Sequence, residues 1–220
     1  MRSIIPRGFT FIELLLTLMI VSAVGMLVVP SLVHRGSSAQ RETTIRSMEV
    51  IRQAIMSDYR DDMFESLPYP RDTDRQMHPQ LKYLFHNPAA DLLASPTFQD
   101  LQAWSHDPVT GRGWSGGYIN QSATSTRVYE VDPARGFTTD YGKPIGPANE
   151  HGDPTPVDAW GNPIVLQQPV ESGGIHSSTS TLFARLVSAG PDGILQTPLS
   201  VLEPTPAQIG DDLVVFMEGR

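Results

Sequence analysis

The sequence contains no cysteine. That absence excludes disulfide staples, thiolate metal sites and cysteine nucleophiles together. A long-looped exported domain without disulfides needs another staple, and a bound metal is one candidate. Basic residues are also scarce: 16 Lys and Arg stand against 24 Asp and Glu, and they nowhere cluster, which argues against nucleic-acid binding. The histidines at 34, 78, 86, 106, 151 and 176 form no i, i+4 pair and no zinc spacing. Phosphate loops, dinucleotide fingerprints and internal repeats are missing. One string, Gly113-Trp114-Ser115-Gly116-Gly117, matches the hydrolase pattern Gly-x-Ser-x-Gly. A nucleophile elbow needs a strand before the serine and a helix after it. Here a turn-like Asp107-Pro108 segment precedes and a short apolar strand follows, so Ser115 reads as a turn residue. The chain is not expected to be an enzyme.

What is present is an apolar N-terminus. Leu14 to Val33 is a run of 20 residues without a charge. As a helix rising ~1.5 Å per residue it would span roughly 30 Å, the thickness of a bilayer core. Arg2 and Arg7 before it favour a cytoplasmic N-terminus, and Arg35 and Arg41 beyond it weaken that asymmetry. The run is too long for a secretory signal peptide, and Val33-His34-Arg35 is a poor cleavage site. A plain membrane anchor leaves Glu13 unexplained, because a carboxylate at the edge of an apolar run usually has a partner.

The segment Gly8-Phe9-Thr10-Phe11-Ile12-Glu13-Leu14 resembles the prepilin cleavage and methylation motif of type IV pilins and type II secretion pseudopilins. The resemblance continues through the apolar helix to Pro30, where pilins commonly carry a helix-weakening proline. It implies cleavage after Gly8 by a prepilin peptidase and N-methylation of the new terminus, Phe9. Cleavage leaves a cationic amine with a pKa of about 8. Glu13 lies four residues on, so the two charges could share a helix face within one subunit or pair between neighbouring subunits. Pro30 lacks an N–H and either loosens the helix for assembly or makes a harmless kink.

Residues 34–64 continue as an amphipathic helix, with Ile45, Met48, Ile51 or Arg52, Ile55 and Tyr59 on one stripe. Gly36-Ser37-Ser38 is expected to soften the join, and Pro68 and Pro70 to end the helix. Residues 65–105 read as a variable insertion of short helices and turns. From 106 to 220 the punctuation predicts strands at Gly117–Asn120, Arg127–Val131, Pro163–Gln167, Thr181–Ser188 and Leu213–Met217. Asp158-Ala159-Trp160-Gly161-Asn162-Pro163 is similar to the Asp-Pro-Trp-Gly-Asn-Pro turn of major pseudopilins, with Ala159 in place of the proline.

The acidic segments Ser188 to Gly193 and Gly210 to Leu213 look like the C-terminal Ca²⁺ loop of that group. The resemblance implies carboxylates from Asp192, Asp211 and Asp212 and carbonyls from Ser188 and Leu195, since calcium takes ~6–8 oxygens. The residues alone also allow an Asp-Gly turn and a solvated Asp-Asp edge. Gln196 to Ile209, with Pro198, Pro204 and Pro206, departs from the family loop.

The expectation is an α+β chain of pilin-like architecture. A leader (1–8) precedes a transmembrane and assembly helix (9–33) and its amphipathic continuation (34–64), packed on a small antiparallel sheet with long loops. The resemblance implies a pseudopilus subunit of a type II secretion-like system. Its partners would be the prepilin peptidase, other pseudopilins, an inner-membrane assembly platform and, before assembly, membrane lipid. Its location would be the inner membrane, single-pass, with the globular part in the periplasm. The alternative is a type IV pilus or competence pilin, and Ser115 keeps a membrane-anchored enzyme as a third reading.

Overall fold

A computed structural model describes residues 10–63, 67–68, 79–87, 105–119, 125–142, 152–169 and 182–218, and side chains at 25–35 fall outside that description. Gly8 and Phe9, most of 65–105 and the side chain of Pro30 therefore lie outside the described residues. The chain divides into two compact units, Met1–Gln40 and Arg41–Arg220.

Helix α1 runs from Phe11 to Gln53 and crosses Gly36, Ser37 and Ser38 without a break. At its start the Thr10 carbonyl accepts from the N–H groups of Glu13 and Leu14, and the Glu13 carboxylate reaches back toward the Thr10 N–H. Among the described residues no helix is long and apolar enough to cross a membrane. This corrects the expected transmembrane half of the N-terminal helix and the single-pass inner-membrane location. The exposed apolar side chains described on it run from Phe11 to Val24.

In the second unit the helical path continues through a π-turn, Ala54–Tyr59, into α2, Arg60–Met63. Thr44, Met48, Ile51, Ile55 and Tyr59 are fully buried. Their three-and-four spacing lays one face on the core. Thr44 takes the place expected for Ile45, which is exposed. The π-turn widens the helix so that adjacent Ala54 and Ile55 are both buried.

Three short antiparallel strands form the main sheet in the order β3 (Ile164–Gln167), β4 (Arg185–Ser188), β5 (Leu213–Phe216). Ile164 pairs with Ser188, and Ser188 with Leu213. Alternation sends Ile164, Leu166, Leu186 and Leu213 into the cluster with Met48, Ile51 and Ile55. Val165 and Val187 face the other way, onto Tyr129, Phe137 and Ala189. With both faces covered, β3 and β4 are buried along their whole length.

A second, two-stranded sheet pairs β1 (Thr126–Val128) with β2 (Pro154–Pro156). Both prolines of β2 stand opposite residues one step away from the hydrogen-bonded positions. The neighbouring bonds are Tyr129 N–H to Asp153 and Val157 N–H to Ser125. In that register a proline's missing N–H would have pointed away from the partner strand. The expected strand at Gly117–Asn120 is corrected: Gly117 to Ile119 is a bend, held by Tyr118 N–H on the Leu84 carbonyl. The strand expected over Thr181–Ser188 is confined to β4. A short helix α3, Pro206–Ile209, lies inside the C-terminal loop, with Gln208 Oε1 accepting from Thr205 N–H at 2.9 Å.

Candidate functional site

At the start of α1, Glu13 Oε2 lies 3.5 Å from both the Thr10 N–H and the Thr10 hydroxyl. Both contacts are at the outer limit of hydrogen-bond length, so the carboxylate keeps acceptor capacity. Around it Phe11 (79% exposed), Ile12 (73%), Leu15, Leu18, Met19 and Val21 present apolar surface on every side of the helix. A helix apolar all round needs cover from other apolar groups.

In the globular unit, the Asp158–Pro163 turn organises the sheet end. Asp158 is buried. Its Oδ1 accepts from Trp160 N–H (2.9 Å) and Asn162 N–H (2.8 Å), and its Oδ2 accepts from Ser188 Oγ (2.7 Å). Asn162 donates through Nδ2 to the Gly190 carbonyl at 2.9 Å and accepts at Oδ1 from Arg135 Nη2 at 2.6 Å. Arg135 also donates through Nε to the Gly193 carbonyl at 2.7 Å. Trp160 packs, partly buried, against the core, as its sequence context suggests.

The acidic segments meet beside this turn. Asp192 Oδ1 accepts from Ile194 N–H at 2.8 Å, and Asp211 Oδ2 accepts from Asp192 N–H at 3.3 Å. The remaining oxygens of both carboxylates converge on one atom. Gln196 Nε2 donates to Asp192 Oδ2 at 2.8 Å and to Asp211 Oδ1 at 3.0 Å. Asp212 turns instead to the next residue: its Oδ2 accepts from Gln196 N–H (2.9 Å), Thr197 N–H (2.6 Å) and Thr197 Oγ1 (2.7 Å). Asp212 is 2% exposed and its Oδ1 has no hydrogen-bond partner. Burial pushes its carboxyl above the ordinary range, against the opposing pull of the Thr197 and Gln196 donors.

Of the five residues expected around calcium, Asp192 and Asp211 are brought together and the others are not. Asp212 caps the Gln196–Thr197 turn. Ser188 is held in the sheet and bonded to Asp158. The Leu195 N–H donates to the Arg135 carbonyl, and its own carbonyl lies against Gly136. Calcium requires converging oxygens, whereas the point shared by Asp192 and Asp211 holds an amide donor. Among the described residues no group of three or more His, Cys, Asp or Glu side chains gathers as a metal site would need.

No protein-family model, curated protein or solved structure matches the chain.

Two residues escape the motif reading. Arg185 on β4 is fully buried, and no carboxylate pairs with it among the described residues. Its guanidinium donates to Gln167 Oε1 (3.1 Å) and to the carbonyls of Val201 (2.9 Å), Leu202 (3.0 Å) and Pro198 (2.7 Å). Burial lowers its pKa to about 10, which leaves it charged at neutral pH. Gln196 is the other. An arginine at an inward position of an apolar strand was the available signal for the first; the second had none, because Asp192 lies four residues before it but Asp211, its other partner, is distant in sequence. Ser115 is exposed in an irregular turn between Gly113 (φ 103°) and Gly116 (φ 127°), and its N–H donates to Tyr118 Oη at 3.2 Å.

Proposed function

We propose that this chain is a structural subunit of a pseudopilin-type filament, assembled through its N-terminal helix and serving protein export in a type II secretion-like system. The observation that carries the reading is the exposed, all-round apolar surface of α1 from Phe11 to Val24, beside Glu13. Large exposed apolar surfaces mark association sites, and copies of the same helix provide matching cover.

The chemistry follows from the motif. A prepilin peptidase hydrolyses the Gly8–Phe9 bond and methylates the Phe9 amine. That amine is cationic at neutral pH. The Glu13 carboxylate, only loosely engaged by Thr10, neutralises the amine of a neighbouring subunit. Each charge is costly alone among apolar helices, so the stagger that satisfies both is selected. The Asp158–Pro163 turn and the acidic segments it adjoins resemble major pseudopilins, which favours secretion over a surface pilus. The test is deletion of the gene. Loss of secreted proteins with surface filaments intact supports the reading, and loss of surface filaments or DNA uptake with secretion intact overturns it in favour of a pilus.

A further inference from the structure

We propose that the C-terminal acidic loop is closed by the protein's own donors, the Gln196 amide and the Arg185 guanidinium, in the role a calcium ion is expected to fill. The inference concerns the globular unit alone and stands whether or not the chain assembles. A chain without cysteine must close the stretch from Ser188 to Leu213 by other means. A divalent cation would do so by drawing carboxylates and carbonyls to one point. Here two donor groups divide that work.

Gln196 takes the acidic end. One amide nitrogen carries two hydrogens, and both are committed, one to Asp192 and one to Asp211. They join the two halves of the loop. The side chain is tightly seated: its Oε1 lies where a Cβ on Gly210 would fall, and Gly210 adopts φ 62°. Only glycine fits both the conformation and the space.

Arg185 takes the proline-rich end, Pro198 to Leu202. Four of the guanidinium's five donors are used, three of them on main-chain carbonyls of that segment. Gln167, opposite Arg185 in the sheet register, orients the fork and donates its own Nε2 to the Thr197 carbonyl at 3.0 Å. Carbonyl oxygens around a buried cation are what a calcium loop also offers. The charge is supplied by a side chain of the sheet, so the segment that departs from the family loop still has a cation to fold around.

The test is thermal unfolding of the full-length protein in detergent, with excess calcium and with chelator. The wild type should melt at the same temperature in both. Gln196→Glu replaces the shared donor by a third carboxylate, and it should melt lower in chelator and recover in calcium. Arg185→Lys keeps the charge but loses the fork, so limited proteolysis should cut faster between Pro198 and Leu202, with or without calcium. A wild-type melting temperature that falls on chelation would overturn the proposal. So would an Arg185→Lys protein cleaved no faster than wild type. If Gln196→Glu fails to fold, the wild-type comparison decides alone.

Discussion

A buried guanidinium carries a desolvation cost, and among the described residues Arg185 offsets it with carbonyl and amide oxygens and no carboxylate. Two tyrosines share its face of the sheet. Burial pushes Tyr141 up to about 12 and raises Tyr129 further. A phenol with a raised folded pKa stabilises below pH ~10 and loses that contribution as pH rises through its folded value. Arg185 acts in the opposite sense: its folded pKa is lowered, so its contribution grows above pH ~10. Two tyrosines outweigh one arginine, and stability should fall between pH 10 and 12. Tyr141→Phe should flatten that fall by roughly 2–3 kcal/mol, as read from denaturant midpoints across the alkaline range. At this scale the sequence was informative where chemistry is local. Asp158 followed by Gly161-Asn162 announced a turn. It was silent where a side chain meets distant backbone, because the carbonyls of Val201 and Leu202 carry no residue-type signature.

Elements were legible in proportion to their periodicity. The stripe through Met48, Ile51, Ile55 and Tyr59 predicted the buried helix face, and β3 and β5 announced themselves as apolar runs between turn residues. The stripe was misassigned at one position: Thr44 is buried because its hydroxyl accepts from Ala159 N–H at 3.1 Å, and Ile45 is exposed. Ile51→Ala should therefore cost about 2–5 kcal/mol in urea unfolding, and Ile45→Ala about 0.5 kcal/mol or less. β2 escaped notice because proline argues against strands, and only its register makes both prolines tolerable. Thr205-x-x-Gln208 and Thr10-x-x-Glu13 are capping-box patterns readable in advance, and the first marks a helix inside what read as a plain loop. Gly210→Ala should cost about 1–3 kcal/mol, because the added methyl displaces Gln196 as well as straining the backbone. At the start of α1, Glu13→Ala should leave processing intact and reduce filament yield. Normal yield of sedimentable filaments from that variant would remove the proposed pairing with Phe9.

For the whole molecule, the division between Gln40 and Arg41 falls within α1 and not at the end of the apolar run, where sequence composition alone would place it. The globular unit is α+β, with two small antiparallel sheets and long connections tied by side chains: Asp158, Asn162 and Arg135 at one end of the loop, Gln196 within it and Arg185 reaching into it from β4. Composition anticipated the need for such ties, since cysteine is absent, and a metal was one candidate for them. The amino-terminal unit presents the apolar helix on which the filament reading depends, and that reading begins with one peptide bond. The most direct test is the intact mass and terminal sequence of the protein recovered from its own cells. The expected result is a chain beginning at Phe9 and carrying one methyl group on its amine. A mature chain that still begins at Met1, or is cut elsewhere, would contradict it.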